Sequence, residues 1–158
     1  MRTTQLKIGS AAIAGAMLAC FPGSAHATLG GDIASITTNQ QHFAAKRTVQ
    51  PLVDGQRHDL TLASGTIVHE YLSAKGAVYA VSWRGPQKPN LAELLGGYRT
   101  KLAAVKGRAR RGLHRVQFAS TELVVQASGH NNYYSGRAWV PSLVPAGVDA
   151  NLAVKVDQ

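Results

Sequence analysis

The chain has 158 residues, which is room for one domain and not for two full ones. Hydrophobic residues make up 45% of it, which excludes disorder throughout, and a single cysteine excludes a disulfide scaffold or a multi-cysteine zinc or iron–sulfur site. Charge is sparse but one-sided: 17 Lys and Arg against 8 Asp and Glu leave +9.

Arg2 and Lys7 open the chain, and Ile8 to Phe21 follows as 14 residues without a charge. Pro22, Gly23 and Ser24 break any helix, and Ala25-His26-Ala27 sets small residues two apart. That order is the secretory signal pattern. The run is too short to cross a bilayer, which takes about 20 residues. Residues 1–27 are therefore expected to be a signal peptide cut before Thr28, with a periplasmic or secreted mature chain. The rival cut lies before Cys20 and would leave a lipid-anchored protein, although Met17-Leu18-Ala19 fits a lipid-attachment box poorly. No later apolar run approaches bilayer length, so no transmembrane segment is expected after processing.

Residues 28–50 are polar and weakly periodic, and predict a flexible N-terminal arm with at most a short helix. Residues 51–158 are expected to form a single α+β domain. Alternation with a period of two predicts strands over 57–63, 66–72 and 77–84, joined at Ser64-Gly65 and Ala74-Lys75-Gly76 as an antiparallel meander. The third is apolar on both faces and should lie inside the sheet, with Trp83 buried. Asn90 sits at a helix-cap position with Glu93 three residues on, the spacing of a capping box. Leu91, Leu94, Leu95, Tyr98, Leu102 and Val105 then fall at helical intervals and predict a helix over 91–105. Gly96-Gly97 weakens its middle by roughly 1 kcal/mol per glycine. Arg108 to Arg115 reads as a basic loop. Further strands are expected over 121–127 and 133–140, and a terminal one over 150–156. The expected fold class is α+β: an antiparallel sheet of about 5–6 strands with one main helix packed on it.

Three stretches carry a resemblance. They are Ser64-Gly-Thr-Ile-Val-His-Glu-Tyr71; Gly76-Ala-Val-Tyr-Ala-Val-Ser-Trp-Arg-Gly-Pro86 leading into Pro89-Asn-Leu-Ala-Glu-Leu-Leu-Gly96; and Glu122-Leu-Val-Val-Gln-Ala-Ser-Gly-His130 followed by Gly136-Arg-Ala-Trp-Val-Pro-Ser-Leu-Val-Pro-Ala-Gly147. With Thr28-Leu-Gly-Gly31 after the cut site, the chain resembles the secreted proteobacterial family known as domain of unknown function 2844. The resemblance implies export and a single domain, and it implies no chemistry.

Five histidines follow the signal: His42, His58, His69, His114 and His130. His69-Glu70 begins like H-E-x-x-H, but Ser73 ends the motif. A metal site would have to be assembled by the fold from His58, His69 and His130; hydrogen-bonded, scattered histidines are the favoured reading, and no metal or cofactor is assigned. No G-x-S-x-G elbow occurs. Ser64, Ser128 and Ser135 each precede Gly as turn serines do, leaving only a pairing such as Ser128 with His69. Tyr71, Tyr79, Trp83, Tyr133, Tyr134 and Trp139 lie on expected strands and are assigned to the core by default, with a glycan or peptide platform as the alternative should some share an exposed face. The strongest physical feature is basic: Arg99, Lys101, Lys106, Arg108, Arg110, Arg111 and Arg115 put seven positive charges within 17 residues, with no acid among them. Such a run attracts polyanions. It lacks interleaved aromatics for base stacking. The reading the residues favour is a non-catalytic binding or accessory domain of the cell envelope. Its partner is an unknown envelope protein or an anionic envelope polymer, with no sequence-specific nucleic acid. A cofactor-free hydrolase with a site assembled from distant residues is the alternative, and no catalytic residue is assigned.

Overall fold

A computed structural model describes residues 29–101, 115–154 and 156. Short turns and period-two alternation give seven strands: β1 (Lys46–Leu52), β2 (Gly55–Thr61), β3 (Ile67–Ser73), β4 (Val78–Gly85), β5 (Arg115–Ala119), β6 (Val124–His130) and β7 (Tyr133–Trp139). They form one antiparallel sheet in the order β1-β2-β3-β4-β7-β6-β5, so β1 and β5 are its edges. The expected meander is present, and β4 lies at the centre of the sheet. Asn131 and Asn132, with φ of 47° and 58°, make the β6–β7 turn. Asparagine tolerates this left-handed backbone, so a two-residue turn suffices and β6 runs on to His130.

Among the described residues, helices α1 (Ile33–His42), α2 (Leu91–Leu95) and α3 (Ala150–Ala153) accompany the sheet. Within the segment expected to be a flexible arm, residues 29–50 carry regular structure: helix α1 and the start of β1. Asp32 caps α1 by accepting from the Ser35 amide at 2.9 Å, and β1 begins at Lys46. Backbone pairs tie Gly30 N–H to the Val78 carbonyl and Val78 N–H to the Gly31 carbonyl, both at 2.8 Å. The hydrophobic pattern of α1 is weak because it touches the sheet through a narrow stripe, Ser35, Ile36 and Asn39, of which only Ile36 is apolar.

The helix expected over 91–105 stops as α2 at Leu95, within a capping turn in which Asn90 Oδ1 accepts from the Ala92 amide. Gly96 takes a positive φ of 48°, a conformation glycine adopts at little cost, and a 3-10 turn follows over Gly96–Tyr98. Helical backbone resumes at residues 99–101; positions 102–105 lie outside the described residues. Arg115, expected at the end of a loop, begins strand β5, which brings the sheet to seven strands. The expected terminal strand over 150–156 is also corrected: Asp149 caps α3 through the Asn151 amide at 2.8 Å, and the cap turns the chain into a helix.

One face of the sheet packs on α1 and α2. Ile36, Leu91, Leu94 and Leu95 meet Leu60, Val68, Val81, Trp83, Val125 and Ala138 there, and Trp83 is buried as expected. Each fully buried leucine contributes about 1.5–3 kcal/mol. The other face packs on α3 through a smaller cluster of Tyr71, Tyr79, Ala80, Trp139, Ala150 and Val154. The β3–β4 register shifts after Tyr71, which pairs with Ala80, whereas Leu72 pairs with Val78, so Tyr79 is passed over. That bulge turns Tyr79 to the α3 side, with its ring 6.0 Å from that of Tyr71.

Candidate functional site

Residues opposite one another in an antiparallel pair share a face. On the α3 face one transverse row therefore crosses every strand: Thr48, Asp59, His69, Ser82, Arg137, Gln126 and Gln117. All seven side chains are polar. Two residues along, Arg84, Ser135, Ser128 and Arg115 form a parallel row over β4, β7, β6 and β5.

The β2–β3 end of the first row is closed. Asp59 Oδ1 lies 2.6 Å from His69 Nδ1, and Arg57 reaches both Asp59 oxygens at 2.8 and 3.0 Å. Burial works to raise the Asp59 carboxyl, but the bonds from Arg57 and His69 and their charges hold it below the usual carboxylate range. Asp59, His69 and Ser82 are all buried, and the second ring nitrogen of His69, Nε2, has no hydrogen-bond partner.

The β5–β7 end is open. A groove of about 260 Å³ lies there, lined by Arg115, Gln117, Gln126, Ser128, Ser135 and Arg137, with Val156 on its wall. Arg137 Nε donates to Gln126 Oε1 at 2.9 Å. Its Nη1 donates to the carbonyls of Asn151 at 2.6 Å and Val154 at 3.1 Å, and the guanidinium lies 5.4 Å from the centre of the Trp139 ring. Ser128 and Ser135 share a hydroxyl–hydroxyl bond at 3.1 Å.

A second polar cluster lies on the opposite face beneath α1. Glu70 pairs with His58 across β2–β3 and accepts from Asn39 Nδ2 at 2.9 Å. Arg47 Nε and Nη2 both approach His58 Nδ1, at 3.1 and 2.8 Å. A guanidinium can only donate, so Nδ1 accepts and Nε2 carries the proton. Burial and then the Arg47 charge lower the His58 pKa against the opposing pull of Asp59. Burial pushes the Glu70 carboxyl up to about 7, against the Asn39 bond and the Arg47 charge.

Of the expected basic tract, Arg99 and Arg115 are exposed, and Arg115 enters the groove. Lys101 forms an ion pair with Glu122, an acid the local sequence does not offer, so it is not an unanswered charge. Lys106, Arg108, Arg110 and Arg111 lie outside the described residues. The histidines are not brought together. His58 and His69 are buried on opposite faces, His130 ends β6, and no group of three metal-ligating side chains occurs among the described residues. Ser128 meets Ser135 and not His69. Sequence reading passed over Gln117, Gln126 and Arg137. Their signal was parity: Gln126 and Arg137 are polar residues at alternating positions of the two strands flanking the Asn131-Asn132 turn, and Gln117 alternates with Val116 and Phe118 on β5.

A family model for a protein of unknown function, DUF2844, matches residues 25–153. The chain belongs to the DUF2844 family. No curated protein and no solved structure matches it. The DUF2844 match takes in the whole transverse row and every polar residue lining the groove.

Proposed function

We propose that this DUF2844 chain is an exported, non-catalytic binding domain that holds an anionic polymer of the cell envelope on the β5–β7 part of its α3 face. The observation that carries the reading is the groove, in which two arginines and four neutral hydrogen-bonding side chains share one face. The charge supports it: 15 Lys and Arg against 8 Asp and Glu follow Ala27, a balance of +7, and a cationic surface raises the local concentration of anions. Export rests on Arg2 and Lys7, the charge-free run and Ala25-His26-Ala27. Binding to purified lipopolysaccharide and to an acidic glycan, measured across a salt series, tests the reading. Affinity should fall steeply with salt, because exposed charges are screened over about 8–10 Å at physiological ionic strength. Binding to neither polymer would reject it. Intact mass of the exported protein should begin at Thr28; an acylated Cys20 or a full-length cytosolic chain would reject the export step.

A second reading, the cofactor-free hydrolase, rests on Asp59, His69 and Ser82 in consecutive positions of one row. Access favours the binding reading. Ser82 is fully buried and His69 nearly so, whereas a nucleophile needs an approach for its substrate. Labelling of Ser82 by a fluorophosphonate, lost in His69→Gln, would reverse that preference.

A further inference from the structure

The groove has a plan. Over β5, β6 and β7 its six polar side chains form a grid of two rows and three columns: Arg137, Gln126 and Gln117 in one row, Ser135, Ser128 and Arg115 in the other. The arginines stand at opposite corners. With strands about 4.8 Å apart and a two-residue offset along them, their Cα atoms are about 12 Å apart. The positions between them carry neutral amides and hydroxyls.

The two arginines have different standing. Arg115 is exposed on the edge strand. Arg137 is half-buried, and its contacts are all uncharged: the Gln126 amide, two main-chain carbonyls and the face of Trp139. Among the described residues no carboxylate pairs with it. A guanidinium drawn partly out of water gains most from an ionised acceptor, and its planar fork matches a carboxylate. Glutamine and serine side chains offer paired donors and acceptors suited to sugar hydroxyls. Among the described residues no aromatic ring lines the groove to stack a nucleobase.

We propose that the groove is a site for an acidic polysaccharide, with Arg137 anchoring one carboxylate, Arg115 meeting a second further along the chain, and Gln117, Gln126, Ser128 and Ser135 taking the hydroxyls between. This rests on the reading of the protein as an anion-binding domain and adds the site and the ligand class. Trp139 serves as a built-in reporter, because the Arg137 guanidinium lies over its ring.

The test is titration of the mature protein with oligogalacturonate, with its methyl-esterified neutral form, and with purified lipopolysaccharide, following heat and tryptophan emission. Oligogalacturonate should bind and shift the emission, and Trp139→Phe should remove most of that shift. The methyl ester should bind at least about tenfold more weakly, the loss of one good charge-assisted contact. Arg137→Gln should weaken oligogalacturonate more than Arg115→Gln does. Because Arg137 also holds α3, its variant is checked by thermal melting; if it does not fold, Arg115→Gln and the methyl ester decide. Equal oligogalacturonate binding by wild type, Arg115→Gln and Arg137→Gln would overturn the site and leave the general reading standing, with binding elsewhere on the basic surface. Lipopolysaccharide binding that depends on Arg137, without oligogalacturonate binding, would overturn the assignment of the arginines to the carboxylates of a uronate chain. No binding of any anion would overturn both.

Discussion

Arg57 and Arg137 point to the same face of one sheet and differ in what answers their charge. Arg57, on β2, holds both oxygens of Asp59, which in turn holds His69, and its guanidinium also donates to Gln50. Arg137, on β7, meets only neutral groups among the described residues and borders an open groove. Charges answered within the chain stabilise or strain the fold. A charge answered only by neutral acceptors is available to a ligand. The difference follows from neighbours two residues along or one strand over: Asp59 is the next same-face residue to Arg57, whereas Arg137 is flanked across its strands by Ser82 and Gln126.

The largest expected effect comes from breaking the closed end. Asp59→Asn keeps one acceptor oxygen but removes the negative charge that Arg57 and His69 share, and losing one charge of a largely buried ion pair costs up to about 3–5 kcal/mol. Urea denaturation at pH 7 should show that loss. The Asp59 carboxyl is held below its ordinary value, so its contribution is complete above the unfolded-state pKa and fades as pH falls through the folded one. A change below about 0.5 kcal/mol would place this triplet with the exposed ion pairs that contribute little.

Glu70, on the opposite face, sharpens the contrast, because it is a buried acid with no cation in contact among the described residues. His58 of β2 and Arg47 of β1 stand near it and Asn39 of α1 bonds it, but its second oxygen has no partner. A carboxyl raised from 4.5 to about 7 binds its proton more tightly folded than unfolded. This term is therefore most favourable below the unfolded value and declines as pH rises toward 7, by roughly 3 kcal/mol in all. Glu70→Gln should flatten that decline and leave the variant more stable than wild type at pH 8, as read from denaturation midpoints at pH 5 and 8. Parallel pH profiles for the two proteins would mean that Glu70 ionises without resistance.

Gly136 sits beside Arg137 in β7 with its α-hydrogens against Trp83. A Cβ there would run into the Trp83 ring and stand 2.8 Å from the Gln126 carbonyl. Gly136→Ala should cost about 1–3 kcal/mol by overpacking, and it should shift Trp83 emission, since the ring must move. An unchanged melting temperature would show that β7 can slide without disturbing the groove.

The smallest effect is expected at the open end. Arg115→Gln should change stability by less than about 0.5 kcal/mol, because the side chain is exposed and answers to nothing in the core. A larger loss on chemical denaturation would make Arg115 part of the fold and weaken its assignment to a ligand.

The meander was legible because β2, β3 and β4 carry their periodicity in consecutive residues and are joined by turns whose residues announce them. Strand β5 was hidden: Arg115, Gln117 and Ala119 face out on an edge, and only Val116 and Phe118 of its five residues pack inward, so the run reads as loop. Helix α1 was hidden for a related reason. Its buried Asn39 counts as polar in any pattern, and becomes a core residue only because Glu70 lies opposite. The basic tract was legible as charge but not as a surface, because the answering Glu122 comes from a different part of the chain.

The sequence alone therefore determined the sign of the charge, the central strands, the burial of Trp83 and the capped start of α2. These depend on composition and on neighbours within a few residues, where alternation and capping geometry act. The groove and the closed Arg57–Asp59–His69 group were decided by the tertiary structure. A polar residue at an alternating position faces one side of its strand whatever lies beyond; which charges it meets depends on register and on strand order. Here the chain runs from β4 out to the far edge at β5 and returns through β6 and β7 to pair with β4. That return sets Arg137 beside Ser82 and not beside an acid, and it leaves Arg115 on the rim of the same groove.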